Sequence, residues 1–527
     1  MLAHFKKFWN EIGKRELFII PLFLFSFIAY MPSFLLSKVQ FEDFHRDFYY
    51  GEHGKNWAGR WGMILWTKVM TFLEANDILE KFIGYLFMVM MSVIIACIFY
   101  YLSGSCGNVL KYMFAAIGVS TYPLLNEIWG YGGVNYMVAG NMLIVSLCCY
   151  YILVSEDSYF KKLICTGTAL ILVASSYEAG AFFYVTLVLI ILFLKNRKQN
   201  MTLFSIIVEG ISYAIPLVVG VILSSIIGKI LCLILEINSQ RYGATGIFWG
   251  TEGAVESLIK NTLDMYLARG LVYLPIGIFV ICAAIFVVFY IYTGIACKNI
   301  NMLLLGSGII VSLFFQSIVQ CVEMPYRTAH TLNIFVGFVF FLIGEWGEKQ
   351  KKNIMIMITM TLLFVCYRQS IYFNKMNYLD YKVAENDVAL VRQIGYEIVS
   401  EYDSKPVLFV GKEFVYSSTY SEYLDVQVVV DNESFLGMVY SWCHARLYGY
   451  SYPGKRYIGT NMFSSLFLLN VEPDAMELYF SYCGYDIDVL NNMNLEEDYP
   501  EVYSMVNNNE LEQFEFIDMG DYVVIGL

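Results

Sequence analysis

The chain has 527 residues, of which 58% are hydrophobic, 17% aromatic and only 15% charged, with a formal net charge of −12. That balance excludes an ordinary soluble domain and a disordered chain, and its acidity argues against a nucleic-acid partner. Apolar segments recur near the ~20 residues that a helix needs to cross ~30 Å of hydrocarbon, and they are continuously apolar rather than alternating, so spanning helices are expected instead of a barrel.

In chain order, spans are predicted at 17–37, 82–102, 110–127, 134–154, 163–177, 180–194, 203–234, 271–294, 302–322, 331–345 and 353–367. The first is followed by no small-residue cleavage pattern and reads as an uncleaved signal anchor. After it comes "VQFEDFHRDFYYGEHGKNWAGRW" (39–61), polar and punctuated by Gly51, Gly54 and Gly59. The next stretch, "RWGMILWTKVMTFLEANDILEKF", is too polar to span and suits a helix lying in the interface, with Trp at headgroup depth. A second long loop, roughly 236–270, carries "NSQRYGATGIFWGTEG" and reads as a flap over a site. No internal repeat stands out, which weakens a transporter built from duplicated halves.

Lysine and arginine set the expected orientation. Lys6, Lys7, Lys14, Arg15, Lys161, Lys162, the run "KNRK" at 195–198, and Lys349, Lys351 and Lys352 all fall on one side if the amino terminus is cytoplasmic. The opposite loops "WGYGG" and "SYEAG" carry neither residue. Residues 38–81 break the rule, facing outward with six basic residues, and outward cations need a reason to be there.

From about residue 370 the pattern changes. Residues 369–527 hold 25 acidic and 8 basic residues, against 21 and 26 in the rest of the chain. "ENDVALVRQIGYEIVSEY" has helical spacing, while "KPVLFVG", "DVQVVVD" and "DYVVIGL" are short β-branched runs, so an α/β module is expected over 369–527. Eleven crossings would place it outside the cell. Its Cys443 and Cys483 are candidates for a disulfide, and the aromatics of "VYSWCHARLYGYSY" suit either strand packing or stacking on sugar rings.

The candidate chemistry gathers at the outward ends of the spans. Glu42 and Asp43 are adjacent carboxylates with Asp47 close behind. Such a pair can deprotonate a hydroxyl or ligate a divalent cation. Arg46 and Arg60 are suited to a phosphate, as is Arg327 beside Tyr326. Asn126 and Glu127 end the third span, and Tyr177 and Glu178 sit between the fifth and sixth; a carboxylate at that depth is expensive and therefore a functional candidate. A solvated polar loop, headgroup anchoring or mutual pairing of the charges would explain the same residues without chemistry. His45, His53 and His330 are scattered, and no metal site is expected from them.

The order Glu42–Asp43, Arg46, Gly51 and Gly59–Arg60 resembles the first outer loop of the type-II Gtr polytopic bacterial glucosyltransferases, GT-C enzymes that decorate O-antigen. Those proteins carry an aspartate pair, an arginine three residues on, a glycine and a Gly-Arg step. Here Glu42 replaces the first aspartate, and in "SYEAG" Glu178 stands where the family has glutamine. The resemblance covers about residues 1–368 and implies an α-helical polytopic membrane protein of GT-C type, with the module at 369–527 as an extracytoplasmic addition. It implies a multi-pass cell-membrane hexosyltransferase that moves a sugar from an undecaprenyl-type polyprenyl-phosphate donor to a surface glycan, in a bilayer shared with a flippase and a donor synthase. In that scheme Glu42, Asp43 and Asp47 are catalytic, Arg46, Arg60, Arg327 and Tyr326 hold the lipid phosphate, and Asn126, Glu127, Tyr177 and Glu178 bind sugar or acceptor. No organic cofactor is expected, and a divalent metal stays open. The rival readings are a transporter or flippase of lipid-linked glycans, a polysaccharide polymerase or ligase, and an envelope scaffold.

Overall fold

The computed structural model describes residues 1–36, 61–104, 108–123, 129, 134–177, 179–234, 255–256, 258–259, 278–321, 330–410, 473–492, 494–508, 510–512 and 515–526. These are mostly helical and fall into two compact units, one made of Met1–Leu35 and the described residues of 61–376, the other of Leu36 and the described residues from Asn377 onward.

In the first unit, α1 (Leu2–Phe8) and a wider helical turn over Trp9–Gly13 lead into α2 (Glu16–Leu35). There follow α3 (Trp61–Phe72), α4 (Asp77–Ser103), α5 (Val109–Ser120), α6 (Asn135–Val154), α7 (Tyr159–Ser176), α8 (Ala179–Gln199) and α9 (Leu203–Ile234). After these come α10 (Ile278–Ala296), α11 (Ile300–Ser312), α12 (Phe315–Gln320), α13 (His330–Glu348) and α14 (Lys352–Glu401), whose residues from Asn377 onward belong to the second unit. Among the described residues eight helices are long and apolar enough to cross a membrane: α2, α4, α6, α8, α9, α10, α13 and the Lys352–Lys375 part of α14. The apolar helices α5 and α11 are shorter.

Burial separates inner helices from outer ones. α4, α6, α8 and α13 are buried along most of their length, whereas α9, α10 and α14 expose Ile207, Ile211, Ile285, Met357 and Phe364. Exposed apolar side chains are what a lipid-facing surface requires, because hydrocarbon gives no reason to hide them. Inner helices approach through small residues instead. A Cβ on Gly337 of α13 would lie 2.7 Å from the Ala115 carbonyl oxygen of α5, and one on Gly118 only 3.1 Å from the Gly337 Cα. Gly337→Val would therefore force these backbones apart.

Three features differ from the sequence expectation. The single interfacial helix expected over 60–82 is instead α3 and the start of α4, separated at Leu73–Asn76. Glu74 there has φ of 50°, and Asn76 caps α4 by accepting the Leu79 amide at 2.9 Å, with Asp77 and Glu80 in the first turn. Lys81 thus belongs to a 27-residue helix about 40 Å long. The span over 302–322 is interrupted between α11 and α12, where Thr331 donates to the Leu313 carbonyl at 3.3 Å. Finally, the last span and the helix expected near 388–399 are one helix, α14, because no Pro or Gly occurs between Lys352 and Gly395 to end it.

The second unit is built on a three-stranded sheet of β1 (Val407–Val410), β2 (Phe516–Asp518) and β3 (Val523–Gly526), in the order β1-β3-β2. β1 runs parallel to β3, with Val407 opposite Val523, and β2 runs antiparallel to it. Both faces are covered, which is why the strands read as unbroken apolar runs. Val407, Phe409, Val523 and Ile525 pack on Val391, Ile394 and Ile398 of α14 and on Met476, Tyr479 and Phe480 of α15 (Pro473–Tyr482). Leu408, Val410 and Val524 pack on Val502 of α17 (Pro500–Asn507), which follows the short α16 (Leu495–Asp498). The segments "DVQVVVD" and "VYSWCHARLYGYSY", Cys443 and most of the 236–270 loop lie outside the described residues. Burial pushes the half-buried Cys483 thiol up, with the Arg392 charge opposing it.

Candidate functional site

The site is assembled from the end of the first unit at which α2 finishes. Tyr30 in the last turns of α2 donates to the Ser120 carbonyl of α5 at 2.7 Å, and its ring lies 5.7 Å from Tyr85 of α4 and 4.9 Å from Trp129. Gly84 of α4 lets the Trp129 ring and the Tyr136 backbone approach closely. Trp66 of α3 covers Gly140 of α6, with its ring 6.3 Å from Tyr136. Gly62 of α3 lies against Ser175 and Ser176 at the end of α7, and Trp61 donates to the Ser224 carbonyl of α9 at 3.3 Å. Tyr177 follows α7 in extended conformation, and its ring lies 5.8 Å from His330, the first residue of α13. One continuous chain of contacts thus joins the ends of α2, α5 and α7 to the beginnings of α3, α4, α6, α8 and α13.

Among the sequence candidates, Tyr177 is described: it is 6% exposed and placed at this end. Glu42, Asp43, Arg46, Asp47, Arg60, Asn126, Glu127, Glu178, Tyr326 and Arg327 lie outside the described residues, as do His45 and His53. The described residues that bracket them do belong to this end. Leu35 and Trp61 bracket 42–60, Tyr122 and Asn135 bracket 126–127, Tyr177 and Ala179 bracket 178, and Cys321 and His330 bracket 326–327.

The same end holds polar side chains that the sequence reading passed over. Asn141, 1% exposed, has no hydrogen-bond partner on either amide atom among the described residues. The Asn135 Nδ2, the His330 Nε2 and the indole Nε1 atoms of Trp66 and Trp129 are likewise buried without a partner. Each such group left unsatisfied costs about 1–3 kcal/mol, and a natural structure keeps few of them. Lys81 is 2% exposed and pairs with Asp77 at 2.5 Å, one turn before Gly84 and Tyr85 on the same helix face. The signal for these residues was present. An Asn inside "VAGNMLIV" and a Lys in register with Gly84, Tyr85 and Met88 are costly at membrane depth.

Chemically, the described part of this end offers buried, mostly uncharged hydrogen-bond donors beside aromatic rings, with one buried cation. Such a set matches a polyhydroxylated ligand whose rings can lie on aromatic faces. Among the described residues, no three His, Cys, Asp or Glu side chains are grouped to hold a metal.

The opposite end of the unit carries charge in pairs. Lys111 meets Glu348 at 2.8 Å, Arg197 pairs with Glu345, and Lys195 with Glu209. Asp157, in the turn between α6 and α7, accepts from Lys161, Tyr151 and Ser155, and these contacts, the lysine foremost, hold its carboxyl well below the usual range.

No known family's sequence profile matches the chain, and no curated protein matches it. By length and composition its helices are those of a polytopic helical membrane protein.

Proposed function

We propose that the chain is a membrane glycosyltransferase that moves a sugar, glucose by the resemblance, from a polyprenyl-phosphate donor to a surface glycan on the outer face of the cell membrane. The observation that carries the reading is the bracketing of every sequence candidate by described residues from one end of the bundle, the end that also collects Asn135, Asn141, His330 and Lys81. In this reading that end faces outward, the amino terminus is cytoplasmic, and about eleven crossings leave the acidic module outside.

The chemistry is an inverting transfer. Asp43 or Glu42 takes the proton of the acceptor hydroxyl, that oxygen bonds to the anomeric carbon, and the bond from that carbon to the phosphate oxygen breaks. Arg46, Arg60 or Arg327 neutralises the departing polyprenyl phosphate. Positioning and charge stabilisation supply most of the acceleration. A lipid-borne donor also accounts for a site at the bilayer boundary and for a chain without a Gly-rich phosphate loop, since no nucleotide sugar is present outside.

The test is transfer by detergent-solubilised full-length protein given a polyprenyl-phosphate sugar and acceptor glycan. Asp43→Asn or Glu42→Gln is expected to lower the rate by about 10²–10⁴-fold. Wild-type transfer by both variants would remove the assignment of the base. No transfer by the wild-type protein in detergent, together with lipid-glycan movement across vesicles, would make the protein a transporter.

A further inference from the structure

At the paired end of the first unit, α6, α7, α8 and α9 surround a cavity of about 300 Å³. Its origin lies partly in α9. Pro216 has no amide hydrogen, so the Ser212 carbonyl one turn earlier has no helical donor from it, and both residues line the cavity. Facing them, α7 is thin: a Cβ on Gly167 would reach to 3.9 Å from the Pro216 carbonyl oxygen.

The lining is cationic. Lys162 spends one hydrogen on the Ile152 carbonyl, at 3.1 Å, and an ammonium has three to give. Lys195 pairs with Glu209, so two lysines and one glutamate leave an excess of positive charge, with the Ser212 hydroxyl alongside. Just beyond, α7 exposes Phe160 and Ile164, and α9 exposes Ile207, Ile211 and Ile215. A cationic chamber that opens onto an apolar, helix-lined surface suits an amphiphile, with its charge inside and its chains outside. Its volume is at the lower end for ligand pockets, enough for a headgroup and not for a whole lipid.

We infer that this cavity seats the phosphate-bearing headgroup of an anionic phospholipid, held by Lys162 and Lys195, with the acyl chains along the exposed face of α7 and α9. The site stands apart from the transfer chemistry and does not depend on it. Continuity with the apolar face favours a lipid over free phosphate, and the pairing of Lys195 with Glu209 leaves Lys162 as the cation with most hydrogens to offer.

The experiment uses the full chain, delipidated in a zwitterionic detergent, with bound lipid counted by native mass spectrometry. The probes are phosphatidylglycerol, phosphatidylcholine and inorganic phosphate. Phosphatidylglycerol is expected to bind at least tenfold more tightly than phosphatidylcholine, and Lys162→Gln to weaken it by about fivefold. Lys162→Arg should retain binding, and Lys351→Gln, an exposed lysine outside the cavity, should leave it unchanged. Ser212→Leu, which fills the chamber without removing a charge, should also weaken binding and serves if Lys162→Gln fails to fold. Equal binding of the two lipids, equal loss in Lys351→Gln, or full binding in Ser212→Leu would overturn the inference. Inorganic phosphate binding as tightly as phosphatidylglycerol would overturn it too, by assigning the cavity to a free anion.

Discussion

The two ends of the first unit bury different kinds of polar group among the described residues. At one end ion pairs join the helices, Lys111 with Glu348, Arg197 with Glu345, Lys195 with Glu209, while Asn196, Asn301 and Glu348 each also leave one buried oxygen without a partner among the described residues. At the other the polar side chains are mostly neutral and unmatched, with Asn135, Asn141, Trp66, Trp129 and His330 each leaving at least one buried atom without a partner among the described residues. Matched groups hold helices together, and an apolar residue would serve a helix better than an unmatched Asn. The contrast is one of charge: ion pairs between helices at one end, mostly neutral groups with the single Lys81–Asp77 pair at the other.

The strongest way to break that contrast is at Lys111, 1% exposed. Lys111→Met strands Glu348 at a part-buried position and should cost about 2–4 kcal/mol, read as a lower unfolding temperature in detergent. Adding Glu348→Gln should restore most of the loss, since the cost comes from the stranded charge. A smaller and opposite effect is expected at the other end. Asn141→Leu should leave stability unchanged or raise it by about 1 kcal/mol, because no bond is lost and a buried amide is removed. Under the proposed function, sugar transfer by Asn141→Leu should nonetheless fall by about tenfold. If Asn141→Leu lowered the unfolding temperature as much as Lys111→Met, the two ends would be alike and the contrast would vanish.

The smallest effect sharpens the comparison from the second unit. Lys405 pairs with Asp518 at 2.7 Å on the second unit, and this contact first, then the Gly520 amide, holds the Asp518 carboxyl below its ordinary value. A lowered carboxyl stabilises the fold above its ordinary range and stops doing so as pH falls through the lowered value. Lys405→Gln should therefore exchange β2 and β3 amides slightly faster than wild type at neutral pH, and the two should converge as the medium becomes strongly acidic. Both side chains are partly exposed, so the difference should be slight. Hydrogen exchange of the full chain measures it.

Much of the helical architecture was legible because a long apolar run needs no tertiary information to be recognised. Every predicted span from 17–37 to 353–367 contains described helix. The break between α3 and α4 was less visible, although Asn76 followed by Asp77 and Glu80 is a capping pattern that could have marked it. Hydropathy averaging hid Asn135, Asn141 and Lys81, since one polar residue barely moves the mean of a 19-residue window. The joining of two expected helices into α14 was missed for a different reason. The polar stretch near Tyr378–Asp387 looks like a linker by composition, yet nothing in it breaks a helix. The acidic and basic motif at 42–60 was legible as an order of residue types and lies outside the described residues.

The strand order β1-β3-β2 puts the last-made strand in the middle. During translation Val407–Val410 leaves the ribosome first and must wait for Val523–Gly526 before its edge is covered. At ordinary elongation speeds that delay is on the order of ten seconds, during which a greasy, unpaired edge is open to wrong partners.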